Sequence, residues 1–234
     1  MNSGDPLTKI AYLANKLGLF HNKLPVLMRA LAHRSYSHEA GGESNERLEF
    51  LGDSVLSLVI SEYIYQHFPH KSEGELSKWR AYLVSAKTLA KIAKKIELGR
   101  YLLLGHGEDK YGGRERKSIL ADTMEAIIAA VYLEYGWEQV KAFIIEQWEP
   151  YLTLMNKYKQ PLDPKTLLQE ALQSKGSVPQ YQLIKMEGPD HNRIYTMAVY
   201  DQQRLIGKGS GQSKKQAEQE AAEEALKFLA KFPE

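Results

Sequence analysis

The feature that most constrains this chain is a change of hydrophobic period at NKYKQPLDPKT, Asn156 to Thr166. Before it, Leu, Ala and Ile recur at three- and four-residue spacing, the period of amphipathic helices. The spacing predicts helices over 7–17, 24–32, 46–67, 74–84, 86–97, 118–135 and 137–155. Gly18, Pro69 and Gly136 fall where three of them should stop. After the change, the pattern predicts a helix over 164–174, strands over 178–186, 193–200 and 203–208, and a closing helix over 213–231. The chain of 234 residues is long enough for two domains. We expect an all-α N-terminal domain over 1–155, a flexible linker over 156–163, and an α+β domain of order α-β-β-β-α over 164–234.

Composition removes several function classes. There is no cysteine, so disulfides, thiolate zinc sites and cysteine nucleophiles are excluded. That absence, and an opening MNSGDPLTKI without the pattern of a secretion signal, fit a cytoplasmic location. No apolar run reaches the length of a membrane span; the greasiest stretch, ILADTMEAIIAAVYL, is broken by Asp122 and Glu125. The segment GHGEDKYGGRERK, Gly105 to Lys117, reads as a long polar loop, either functional or a plain surface excursion.

Two acidic groups stand out inside apolar helices. In NERLEFLGDSVLSLVI, helical rotation places Glu46, Glu49 and Asp53 within about 60 degrees of one another. Leu48, Leu51, Val55 and Leu58 form the apolar stripe beside them. Glu49 and Asp53 are a like-charge i,i+4 pair, which costs energy on any helix and more beside apolar neighbours. A second pair, Asp122 and Glu125, lies in a helix apolar nearly all round, where acids need partners. Plain readings exist: Glu46 and Asp122 suit helix starts, and an arginine such as Arg47 or Arg80 could balance either. If the two helices pack face to face, however, the acids converge with no base interleaved. The counterion is then a divalent cation, and an all-oxygen donor set favours Mg2+ or Mn2+ over zinc. Such sites commonly serve phosphodiester hydrolysis.

The second domain is balanced in charge, with ten Lys/Arg against ten Asp/Glu over 163–234. Locally it is basic: Gln202 to Ala217 carries Arg204, Lys208, Lys214 and Lys215 and no acid. Ser213 is a good N-cap, with Gln216 placed to close a capping box. Two lysines beside free helix N–H groups suit a phosphate, and the glycines of GKGSGQ would let backbone come close to it. No organic cofactor is expected, since those glycines lack the spacing of a nucleotide-binding loop.

NERLEFLGD at 45–53, with ALAHRSYSHE upstream and LADTMEA at 120–126, resembles the nuclease domain of the bacterial ribonuclease III family. DPKTLLQEALQ, the GPDH turn and GSGQSKKQAEQEAAEEALKFL resemble its double-stranded RNA-binding domain. The resemblance covers nearly the whole chain. It implies a Mg2+-dependent endoribonuclease that is a homodimer and cuts both strands of double-stranded RNA. The products would carry 5′-phosphate and 3′-hydroxyl ends with short 3′ overhangs, and precursor ribosomal RNA would be a substrate. It also implies that Glu49, Asp53, Asp122 and Glu125 are the metal-binding and catalytic carboxylates, with Asp53 and Glu125 the most essential. Glu46 and Glu73 match acids at the margin of the site, and Phe50 matches an aromatic of the dimer interface. Gln169, Gln173 and His191 match minor-groove contacts, and Lys214 and Lys215 match phosphate contacts between them, a layout suited to A-form RNA. His33, Arg34 and Ser35 belong to the family pattern and read as structural. The alternative from another class is a non-catalytic RNA-binding or ribosome-associated protein. The acids argue against it, because they would only repel RNA phosphates.

Overall fold

A computed structural model describes residues 6–18, 24–157, 161, 163–189 and 193–231. The chain divides into two compact units, Met1–Pro161 and Leu162–Glu234. The first unit contains α1 (Pro6–Lys16), α2 (Leu24–Ala30), α3 (Arg34–Ala40), α4 (Glu46–His67), α5 (Glu73–Leu83) and α6 (Ala86–Lys95). It continues with α7 (His106–Lys110), α8 (Lys117–Tyr135), α9 (Trp137–Leu152) and α10 (Leu154–Lys157). The helix at α10 runs two residues past 155, into the stretch expected to be linker.

Helix α8 is the axis of this unit. Leu120, Met124, Ile127, Ile128 and Val131 are almost wholly buried, because α2, α4, α6 and α9 all pack on it. Against α4 the approach is very close. A Cβ on Gly52 would lie 1.8 Å from the carbonyl oxygen of Glu125, so only glycine allows the two backbones to meet there. Trp148 Nε1 donates to the Leu83 carbonyl at 2.8 Å, which ties α9 to the end of α5.

Two expectations need correction, and one helix has no counterpart among them. Leu58 is 58% exposed, so it does not anchor α4; the buried face runs through Leu48, Gly52, Val55, Leu56, Val59 and Ile60 instead. Helix α3 was invisible to periodicity because it buries none of its residues. The stretch 105–117 is not a plain loop: it holds α7 and a 3-10 turn, Gly113–Glu115. Gly105 N–H donates to Ser35 Oγ at 2.9 Å and His106 N–H to Glu39 Oε2 at 2.9 Å. Arg114 grips both Asp109 oxygens at 2.7 and 2.8 Å and also donates to the carbonyls of Gly99 and Leu102. These bonds hold the segment to the domain although most of its side chains face solvent, an anchoring that composition does not show.

The second unit has α11 (Pro164–Gln173), then strands β1 (Pro179–Glu187), β2 (Ile194–Asp201) and β3 (Arg204–Gly211), then α12 (Lys214–Lys231). The strands form one antiparallel sheet in sequence order, and both helices cover one face. Asp163 caps α11 through Lys165 N–H at 3.0 Å and also accepts from Gln219 Nε2 of α12 at 2.8 Å. The core joins Leu168 and Leu172 to Met197, Val199, Ile206 and the alanines of α12. Gly207 and Gly209 serve this packing: a Cβ on Gly209 would lie 2.2 Å from Ala221 N, and one on Gly207 would lie 2.4 Å from Ala221 O. They are glycines so that α12 can lie on β3, which corrects their reading as room for a phosphate. Ser213 Oγ does cap Gln216 N–H at 3.2 Å, but the Gln216 side chain returns to Gln212 N–H, one residue before the cap.

Candidate metal centre and RNA-binding surface

The Gly52–Glu125 contact decides the site. With the α4 and α8 backbones touching there, Glu49 lies one turn before the contact and Asp122 one turn before Glu125. Glu49, Asp122 and Glu125 each offer an oxygen, and these oxygens lie within 4.8 Å of one another. Burial raises the pKa of Glu125 most, helped by Asp53, Glu49 and Asp122, to about 8. Burial also raises Glu49, with Asp122 next, and raises Asp122 itself. Arg34 pulls the last two back down, and His33 does the same for Asp122. A partly buried cluster of acids held together against their repulsion is a set of ligands for a hard cation. Such an ion fits this all-oxygen set.

The other predicted acids stand differently. Asp53 is exposed and acts on Glu125 and Glu49 through its charge, outside the group of three converging oxygens. Glu46, exposed at the start of α4, accepts from Ser44 Oγ at 2.8 Å and adds its charge to Glu49. Glu73, at the start of α5, accepts from Ser77 Oγ at 2.7 Å. It lines a separate cavity of about 640 Å3, together with Leu58, Tyr65 and Leu76. Phe50 is 79% exposed.

A polar cleft of about 350 Å3 opens onto Glu49 and Asp122. Its walls include His33, Arg34, Glu108 and Arg116, neighbours of the acids that sequence reasoning missed or set aside. They come from α3, α7 and the turn before α8, brought in by the hydrogen bonds that fold 105–117. The one available signal was the ALAHRSYSHE stretch itself.

In the second unit, Gln169 and Gln173 lie exposed on α11, away from the buried Leu168 and Leu172. Lys214 and Lys215 are exposed in the first turn of α12, and Lys208 is exposed on β3. His191 lies outside the described residues.

Fold and site together define a class: a helical domain with a metal-competent carboxylate cage, followed by an α-β-β-β-α module with lysines at a helix start. Residues 24–151 match the ribonuclease-III-like family and residues 164–229 the double-stranded RNA binding motif. A protein of Natranaerobius thermophilus named Ribonuclease 3 is 45% identical over 231 residues, 97% of this chain and 100% of that one. The Ribonuclease 3 of Clostridium beijerinckii is 48% identical over 219 residues, 93% of this chain and 94% of its own. A solved nuclease domain of ribonuclease III from Campylobacter jejuni superposes with a TM-score of 0.58 at 42% identity. It covers 62% of this chain and 99% of its own. The chain belongs to the ribonuclease III family. It is an endoribonuclease that acts on double-stranded RNA. No helix among the described residues is long and apolar enough to cross a membrane.

Proposed function

We propose that the protein is a Mg2+-dependent endoribonuclease, with Mn2+ as a substitute, that hydrolyses both strands of duplex RNA. Glu49, Asp122 and Glu125 would hold the metal, with Asp53 completing the set from the open side. The bound cation would supply Lewis acidity toward the attacking water and the departing oxygen. The new bond joins a water oxygen to phosphorus and the broken one is P–O3′. This leaves 5′-phosphate and 3′-hydroxyl ends, with short 3′ overhangs if two sites act on opposite strands. Glu46 and Glu73 are proposed as acids at the margin, and precursor ribosomal RNA as a substrate. A cytoplasmic site of action goes with that substrate.

The observation that carries this reading is the convergence of three half-buried carboxylate oxygens within 4.8 Å, where burial and the neighbouring acids raise the Glu125 pKa to about 8. Its test is direct. Purified protein is incubated with a long RNA duplex in Mg2+ and in EDTA, and RNA left intact under both conditions would sink it.

The RNA module would place Gln169 and Gln173 in one minor groove, His191 in the next, and Lys208, Lys214 and Lys215 on the phosphates between. The domains would act as separate modules over 1–155 and 164–234, joined through 156–163. A homodimer is supported by one face of α4, where Phe50, Leu58 and Tyr65 are all exposed beside the apolar cavity lined by Leu76. The Campylobacter jejuni nuclease domain has a region involved in dimer formation. Phe50→Ala should shift the protein toward monomer in sedimentation.

A further inference from the structure

Helix α3 is an odd thing to order. It buries none of its seven residues, so it adds nothing to the core. Yet it is pinned at both ends. His33 N–H donates to the Leu103 carbonyl at 3.0 Å, Ser35 Oγ accepts from Gly105 N–H, and Glu39 accepts from His106 N–H. The first residue it fixes is Arg34, which lines the cleft shared with Glu49 and Asp122.

The other bases of that cleft are accounted for. Arg116 ion-pairs Glu108 at 2.6 Å. Ser35 Oγ accepts from Gly105, which leaves its own hydrogen for His33 Nδ1 at 2.8 Å, and Ser35 N–H donates to the same nitrogen at 3.2 Å. These bonds hold the His33 ring through Nδ1, and burial lowers its pKa. Arg34 makes no hydrogen bond or salt bridge among the described residues; it acts on Glu49 and Asp122 through its charge alone, with its N–H donors uncommitted beside the cage.

We propose that Arg34 is a catalytic residue that holds a non-bridging oxygen of the scissile phosphate against the carboxylate cage. The proposal rests on the reading of Glu49, Asp122 and Glu125 as the nuclease site. An incoming phosphate carries one negative charge and gains a second as water adds. The acids around it repel both. A guanidinium matches two phosphate oxygens with a planar pair of N–H donors and needs no proton bookkeeping. It acts where charge develops, the place where preorganised donors contribute most.

A rival role is as a mere counterweight to the acids. The two roles differ in metal dependence. Removing a counterweight should strengthen metal binding and leave the rate at saturating Mg2+ unchanged. Removing a phosphate holder should lower that rate. The experiment is single-turnover cleavage of a defined RNA duplex by the full-length protein across a Mg2+ titration. Wild type is compared with Arg34→Ala and Arg34→Lys, with and without added guanidinium chloride. Duplex affinity is read by gel shift in EDTA, and thermal melting checks the fold. For Arg34→Ala we expect a loss of about a hundredfold at saturating Mg2+ with duplex affinity nearly unchanged. Guanidinium should restore part of it, and Arg34→Lys should fall between, since an ammonium cannot bond bidentately. An unchanged saturating rate would overturn the proposal, and so would a loss that guanidinium does not relieve at all. Failure of the nuclease reading would show separately, as wild type that does not cut.

Discussion

In both domains a glycine lets two backbones meet where no side chain would fit, and the surroundings could hardly differ more. At Gly209, α12 lies on β3 among Ala217, Ala221, Ala222 and Ala225, all fully buried. At Gly52, α4 meets α8 beside Glu49, Asp122 and Glu125. The first seam is apolar, lined by small buried side chains. The second brings like charges together, and only a proton or a cation relieves them. The same device that completes a core in one domain stores electrostatic strain in the other, and that strain is what a metal ion would discharge.

The sharpest break of this comparison removes one charge from the strained seam. Glu125→Gln should abolish cleavage while duplex binding persists by gel shift, and the metal-free protein should melt higher. Full activity in that variant would take Glu125 out of the chemistry. Next comes the pair Gly52→Ala and Gly209→Ala. Each places a Cβ inside a backbone contact, and each should cost about 1–3 kcal/mol or more, read by thermal melting. They should diverge in one respect: only Gly52→Ala should lose the stabilisation that Mg2+ confers. If Gly209→Ala lost it too, the two seams would not be independent.

The pH dependence follows from the raised carboxylates. Glu125, Glu49 and Asp122 are all raised in the folded state, Glu125 to about 8. The unfolded chain gives up these protons at ordinary carboxylate values. Their contribution to stability is therefore full at acid pH and is lost as pH rises from about 4.5 through about 8. Calorimetry in EDTA should show the decline, Mg2+ should flatten it, and Glu125→Gln should remove much of it. Equal slopes in wild type and variant would deny the strain. The smallest expected effect lies in the second domain: Lys214→Ala with Lys215→Ala should weaken duplex binding and lower its salt slope by about one per lysine. An unaltered slope would mean that these lysines miss the phosphates.

Much of the architecture was legible in the sequence because hydrophobic period is a local property. The all-round apolar α8 announced burial, the switch of period at Asn156–Thr166 announced a second unit, and Ser213 announced the start of α12. Legibility failed where local composition and tertiary role diverge. The polar run 105–117 looked like solvent-facing loop, yet Arg114 and Asp109 fold it onto the carbonyls of Gly99 and Leu102. Leu58 looked like core, and its helix turns it outward. The glycines of GKGSGQ looked like a phosphate cradle, and they make room for a helix instead.

By itself, the sequence determined the two domains, the helices that carry the acids, and the identity of those acids. Spacing within one helix sets which side chains share a face, whatever the rest of the chain does. Only the tertiary structure decided that Glu49 meets Asp122 and Glu125 across about seventy residues, that Asp53 stays at the rim, and that Arg34 enters the same cleft. Those outcomes depend on where two backbones can touch and on hydrogen bonds between distant segments. Neither leaves a periodic trace along the chain.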